Sequence, residues 1–546
     1  EVNSPQLIWF AGSDDRANLK FDVYFGTNTS SLNKVVDDIT TLSYTPSDLS
    51  NGTRYYWKIV ATDLSGSINS SVMNFTAIVP PVSLEWSYDT DGDIEKVAIS
   101  ADGEYIAVAS DDGNLYLFDS DDSSPIWSYD GNRGFHTVAI SGNGDYIIVA
   151  DSVYARLFHK DSNTPVWTDD GGANSERKVV DISADGETII IAQNDNLQVH
   201  SNTNNTIIYN FDCGDYITSI SISADGRFAV CGGYNDGQLS VFDLYLGTKI
   251  WDFETDFDSD IEDVAISSNG EYLAAVTGAS GSGNFMYFFG IESNQPIWSY
   301  EVDSNNCVVD ISSDGSYVFL GGNDHDISLF GRSSNSPIWT YDGGSEAKAV
   351  SISKDGKYIL VGYGGSGDSS YKTLLFSNNS NNPIWSYTTS DHLNSVSISS
   401  DGKYGVVAGN EDTVYLFKNS LAERPFLLPY SPYNGRNTET DQQLGWFASS
   451  DDRDNLTFDV YLDTNSDPTT KVADDITTFY YNAQCLDINT KYYWKVVATD
   501  LSGATFISPM QSFRVNSVND NPDVFSLVSP DSSGVINALH TLLVDI

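Results

Sequence analysis

The sequence predicts an all-β protein built from modules. Short alternating runs rich in Val, Ile, Tyr and Phe recur from end to end, and no stretch shows helical periodicity. Two different phrases also repeat, one through the middle of the chain and one on its flanks.

The phrase IS-x-[DN]-G occurs eight times, with its glycines at Gly103, Gly144, Gly186, Gly226, Gly270, Gly315, Gly356 and Gly402. Between copies falls PIWSY or a variant, carrying Trp86, Trp127, Trp167, Tyr209, Trp251, Trp298, Trp339 and Trp385. Each unit reads as four strands: KVAIS, a tight D-G or N-G turn, YIAVAS, a second polar turn, LYLFD and, after a Ser/Asp/Asn loop, PIWSY. Four short strands per 40 to 46 residues is the signature of a β-propeller, here with eight blades. The first WSY precedes any inner strand and the last inner set has no PIW after it. The N-terminal outer strand is therefore expected to complete the last blade, closing the ring and removing its open edges.

The flanks, 6–79 and 425–516, share WFA-x-SDDR-x-NL, FDVY, DDITT and YYWK-[IV]-VATDLSG, the pattern of short strands in a β-sandwich. The second copy is preceded by RPFLLPYSPYNG, a candidate first strand that has no counterpart before the first copy. A parallel phrase, DVFSLVSPDSSG, stands near the end of the chain. Donor-strand exchange is the expectation: Phe525, Leu527 and Val528 of one subunit fill the edge beside Leu7 and Trp9 of the next. Such a head-to-tail contact does not close on itself and generates a filament. The alternative is a segment of a longer tandem array cut within a third module, to which TLLVDI at 541–546, aligning with QLIWFA, lends support. The expected domains are 1–80, a sandwich lacking its first strand; 81–422, the propeller; 423–516, a second sandwich; and 517–546, linker and tail strand. With neither initiator Met nor signal peptide in view, Glu1 reads as a processing product or the edge of an excerpt.

Composition narrows the function. With 76 acidic against 27 basic side chains the net charge is −49, which cannot neutralise phosphates, so nucleic acid is not an expected partner. No run of 18 apolar residues occurs, so no membrane span is expected. The four cysteines, Cys213, Cys231, Cys307 and Cys485, have no C-x-x-C or zinc spacing, and the six histidines form no ligand pair. Neither a phosphate loop nor a dinucleotide fingerprint is present, so the chain is not expected to be an enzyme.

Calcium is the one cofactor the sequence points to. DTDGDIE (Asp89, Asp91, Asp93, Glu95) and DFDSDIED (Asp256, Asp258, Asp260) place carboxylates at alternate positions on tight turns, oxygen ligands suited to a hard cation, though neither has EF-hand spacing. Glycosylation acceptors of the Asn-x-Ser/Thr type stand at Asn28, Asn51, Asn69, Asn74, Asn204, Asn378 and Asn455.

The central segment, 84–417, resembles WD-repeat and quinoprotein-like propellers, without the full Gly-His and Trp-Asp marks of true WD repeats. The flanks resemble fibronectin type III modules, in which a core Trp on strand B (Trp9, Trp446) packs against aromatics on strand F (Tyr55, Tyr56 and Trp57; Tyr492, Tyr493 and Trp494). The combination is similar to modular archaeal cell-surface proteins. The resemblance implies an eight-bladed β-propeller between two fibronectin type III-like sandwiches, acting as an extracellular or cell-surface structural subunit whose partners are copies of itself. A surface adhesin that binds glycans or other proteins is the alternative. Quinoprotein enzymes carry a Trp in each blade, but here it follows a connecting loop in every repeat, which suits docking between blades rather than a cofactor site.

Overall fold

The computed structural model describes residues 7–515 except 10–18, 47–52, 64–65, 77–80, 171–177, 215, 235–236, 256–258, 279–282, 304, 306, 324–325, 365–370, 423–425, 432–435, 439, 450–455, 500–502 and 504. Every regular element among the described residues is a β-strand. The chain forms two compact units, Glu1–Ser83 and Leu84–Ile546.

The IS-x-[DN]-G phrase explains itself at atomic level. The serine hydroxyl donates to the Asp or Asn side chain two residues on and accepts the amide five residues on, as in Ser183 with Asp185 and Thr188, or Ser223 with Asp225 and Phe228. The Asp oxygen accepts a further amide two residues on, as from Arg227 at 3.1 Å. All eight phrase glycines have φ between 64° and 77°, a region other residues enter at a cost. A methyl group at any of them would also meet a side chain of the preceding sheet, from Gly144 on Tyr105 round to Gly103 on Tyr404.

Each repeat becomes a four-stranded antiparallel sheet, and there are eight. They are numbered here in chain order: sheet 1 (94–130), 2 (137–169), 3 (179–212), 4 (217–254), 5 (261–302), 6 (308–342), 7 (347–388) and 8 (393–419). Sheet 8 takes its fourth strand, Val82–Asp89, from ahead of sheet 1, as the phase of the repeat predicts. Inner strands pack in cyclic order, and Leu393–Ile398 of sheet 8 lies against Ile94–Ile99 of sheet 1. The arrangement is that of a β-propeller.

Two sets of hydrogen bonds run around this ring. On the turn face, backbone amides donate to the next turn: Ala184 to Ala224, Ala224 to Ser268, Ser313 to Lys354, Lys354 to Ser400 and, across the seam, Ser400 to Ala101 at 2.9 Å. Inside, inner-strand side chains accept amides of the following sheet. Asp181 takes Ile222 at 3.0 Å, Asp263 takes Val309 at 3.0 Å and Asp310 takes Ile352 at 2.8 Å. At the seam Ser395 takes Val97 and Ser397 takes Ile99. Sheets 8 and 1 are thus joined as the others are, although some 300 residues separate the partners.

The outer-strand tryptophans dock each sheet on the next. Trp86, Trp127, Trp167, Trp251, Trp298 and Trp339 donate their indole N–H to carbonyls of Ser120, Lys160, Ser201, Ile291, Arg332 and Asn378. Trp385 of sheet 7 packs on Phe417 of sheet 8 with ring centroids 4.5 Å apart.

In the second sandwich, Phe426–Ser431, Gln442–Ser449 and Tyr480–Ala483 form one sheet. The other sheet is built on Thr490–Thr499, flanked by Thr457–Asp463 and Gln511–Val515. Trp446 and Trp494 are fully buried in the core between them. In the separate unit Glu1–Ser83 the same plan recurs: Leu7–Ile8 pairs Ser43–Tyr44, the larger sheet centres on Arg54–Asp63, and Trp9 and Trp57 share the core.

Candidate functional site

The two sandwiches can be compared strand by strand. Leu7 pairs Tyr44 and the Trp9 amide donates to Leu42, just as Leu444 pairs Tyr481 and Trp446 donates to Phe479, both amide bonds being 3.1 Å. The difference lies on the other edge. In the second sandwich Phe426–Ser431 pairs along Gln442–Ser449, with Leu427 against the core. Among the described residues no strand pairs the corresponding edge of Leu7–Ile8, and Ile8 is 55% exposed.

A bulge sharpens the comparison. Tyr430 is the extra residue between Pro429 and Ser431, and its ring lies over Gly445, where a side chain would collide with it. Ile8 stands at the position of Gly445. A tyrosine ring placed as Tyr430 is would collide with a side chain at the position of Ile8, and the phrase DVFSLVSPDSSG contains no tyrosine.

Tyr430 and Phe447, with ring centroids 4.6 Å apart, leave the second sandwich and seat on the turn face of the propeller, against Ala101, Ala184 and Ala224. Turn aspartates add polar ties through their second oxygens: Asp401 accepts Ser449 at 2.7 Å, Asp225 accepts Ser431 at 3.3 Å and Asp185 accepts Gln443 at 3.3 Å. Sheets 5 to 8 carry Ser268, Ser313, Lys354 and Ser400 at the position of these alanines.

Phe447 also lines one part of the axial channel, a cavity of about 420 Å³. Asp181, Asp263, Asp310, Lys96 and Lys354 line it too. Burial pushes Asp181 up to about 6, and Asp263 and Asp310 also above the usual carboxylate range, while their backbone donors and the lysines pull the other way. These aspartates act first as ties between sheets. Sequence analysis passed over Asp181 and Asp310 and met Asp263 only as the end of the DFDSDIED run, although all three are Asp where most repeats place Ser, Ala, Thr, Val or Lys.

The described calcium candidates lie in or beside turns among other carboxylates, with Asp412, Asp111 and Asp391 acting on Asp93. Asp89 accepts the Thr413 hydroxyl at 2.9 Å, and Asp93 is raised by burial and by Asp412 across the seam. Asp260 and Glu95 are described, whereas Asp256 and Asp258 lie outside the described residues. Trios of carboxylates close enough to share an ion occur instead at Asp22, Asp37 and Asp38 and, equivalently, at Asp459, Asp474 and Asp475. Each already holds an ammonium: Lys34 lies 2.8 Å from Asp22, and Lys471 2.6 Å from Asp459.

Of the glycosylation candidates, Asn28, Asn69, Asn74 and Asn204 are exposed and Asn378 is partly so; Asn51 and Asn455 lie outside the described residues. Phe525, Leu527 and Val528, with the rest of 517–546, also lie outside them. Cys213 and Cys231 form a disulfide between sheets 3 and 4, a pairing the sequence analysis did not make.

Residues 83–119 and 205–243 match the WD domain, G-beta repeat. The first segment begins in the closing strand and takes in the first three strands of sheet 1, and the second spans the junction of sheets 3 and 4. The match agrees with the β-propeller. No curated protein matches the chain.

Proposed function

We propose that the protein is a non-enzymatic structural subunit of an extracellular filament or cell-surface sheath. In this reading an eight-bladed propeller is the rigid body, fibronectin type III-like sandwiches are the connectors, and the segment around 523–530 of one copy pairs along Leu7–Ile8 of the next. The edge of Leu7–Ile8 carries the proposal. It has the register of an edge that is covered in the second sandwich, it bears Ile8 where that edge bears Gly445, and the tail phrase carries no tyrosine of the kind whose ring Ile8 would exclude. Seating of the second sandwich on the propeller by two buried rings and three turn aspartates favours a stiff body over a string of loose beads. The disulfide suits an oxidising compartment outside the cytosol.

Electron microscopy of the purified chain beside a version lacking 517–546 tests the proposal. Filaments from the first and single particles from the second are expected. Single particles from both, in salt at protein concentrations that favour assembly, would refute it.

A further inference from the structure

We propose a second, independent function: the cleft between sheets 3 and 4 and the second sandwich binds the end of a neutral oligosaccharide. The repeats supply the standard against which this cleft stands out. At five junctions a tryptophan donates forward, and an asparagine of the following sheet donates back to the outer strand before it: Asn163 to Ser128, Asn205 to Thr168, Asn294 to Asp252, Asn335 to Ser299 and Asn381 to Thr340. Between sheets 3 and 4 both residues are replaced. Tyr209 stands for the tryptophan, and the turn at 243–249 reads DLYLGTK, with no asparagine.

The replacements are matched to one another. Gly247 has φ 65° and lies against the Tyr209 ring, where a Cβ would collide. Tyr245 and Leu246, at a turn that is polar in most repeats, are 65% and 57% exposed. The Cys213–Cys231 disulfide ties these same two sheets covalently. Two of these departures, Tyr209 and Tyr245, line one cavity of about 380 Å³, within the range of small-molecule sites.

Its chemistry points to a polyol. Tyr209 and Tyr245 are among its lining residues, aromatic groups of the kind that pack on the C–H face of a sugar, and Asp441, Gln442 and Gln443 line it with them. Asp225 adds a carboxylate whose oxygens already accept Ser223, Ser431 and the Arg227 amide, while the guanidinium of Arg227 is engaged by Asp243 at 3.0 and 3.1 Å. Carboxylates without an uncommitted cation disfavour phosphate or uronic acid, and favour hydroxyl groups that can donate to them.

Saturation-transfer NMR on the full chain, with maltose, cellobiose, lactose and N,N′-diacetylchitobiose at millimolar concentration, tests the proposal. At least one should receive saturation, and Tyr245→Ala and Gln442→Ala should each weaken its binding at least about tenfold without lowering the melting temperature. Removal of 517–546 should leave binding unchanged, which separates this site from filament assembly. No transfer to any of the four sugars, or transfer that survives both substitutions, overturns the proposal.

Discussion

Replacing Phe447 with alanine should uncouple the second sandwich from the propeller. Phe447 is 4% exposed and Tyr430 2%, and together they form a cluster with Ala101, Ala184 and Ala224 that is separate from the sandwich's own core around Trp446 and Trp494. Truncating a buried phenylalanine costs about 3–5 kcal/mol, and here the loss falls on docking rather than on the folding of either module. Adding Tyr430→Ala should remove a similar amount, less than additively because the rings touch. Calorimetry should show one cooperative transition for residues 84–516 in the parent and two in Phe447→Ala. By contrast, Trp446→Ala should unfold the sandwich itself. A single transition at an unchanged midpoint in Phe447→Ala would refute the seat.

Three further outcomes follow from the propeller. His200 is buried, and burial lowers its pKa from 6.5 against the opposing pull of Asp169 and an Asn205 backbone hydrogen bond, so the stability tied to its neutral form is present above pH 6.5 and lost as pH falls; His200→Phe, which keeps the stack on Trp167, should remove that acid sensitivity in urea titrations. Asp181 behaves in the opposite sense, because its folded pKa is raised: its contribution is full below about pH 4 and is lost as pH rises through about 6, so Asp181→Asn should flatten a pH-dependent term of up to about 3 kcal/mol. Reducing Cys213–Cys231, which spans 18 residues, should cost about 3 kcal/mol and show as a lower thermal midpoint with reductant; no shift would mean that the noncovalent contacts alone hold sheets 3 and 4.

Much of the fold could be read from the sequence because its determinants are local. Ser183, Asp185 and Gly186 fix a turn within a few residues, so eight copies of the phrase announce eight turns. The position of Trp86 ahead of the first complete repeat likewise gave the closing strand, since phase along the chain is preserved in the ring. Contacts between modules were not legible in this way. Nothing in the spacing says that Ala101, Ala184 and Ala224 form a seat, because small residues at a turn satisfy its geometry whether or not another module covers them. Asp181, Asp263 and Asp310 were hidden by an acidic composition in which one more Asp carries little signal, and only the ring brings their oxygens to the next sheet's amides. The Cys213–Cys231 pair was obscure for a related reason: the residues belong to different repeats, and sequence order does not specify which strands of neighbouring sheets meet. Tyr209 stands in the sequence where the other repeats carry tryptophan, but its partner Gly247 emerges only when adjoining sheets are placed together.

Strand donation is the central claim, and hydrogen exchange tests it most directly. A synthetic peptide of residues 523–530 is added to the chain lacking 517–546, and exchange is followed across residues 7–9. Slowed exchange there, reversed by Ile8→Pro, which removes an edge amide, is the predicted result. Unchanged exchange at saturating peptide would contradict the account and leave the edge of Leu7–Ile8 without its proposed partner.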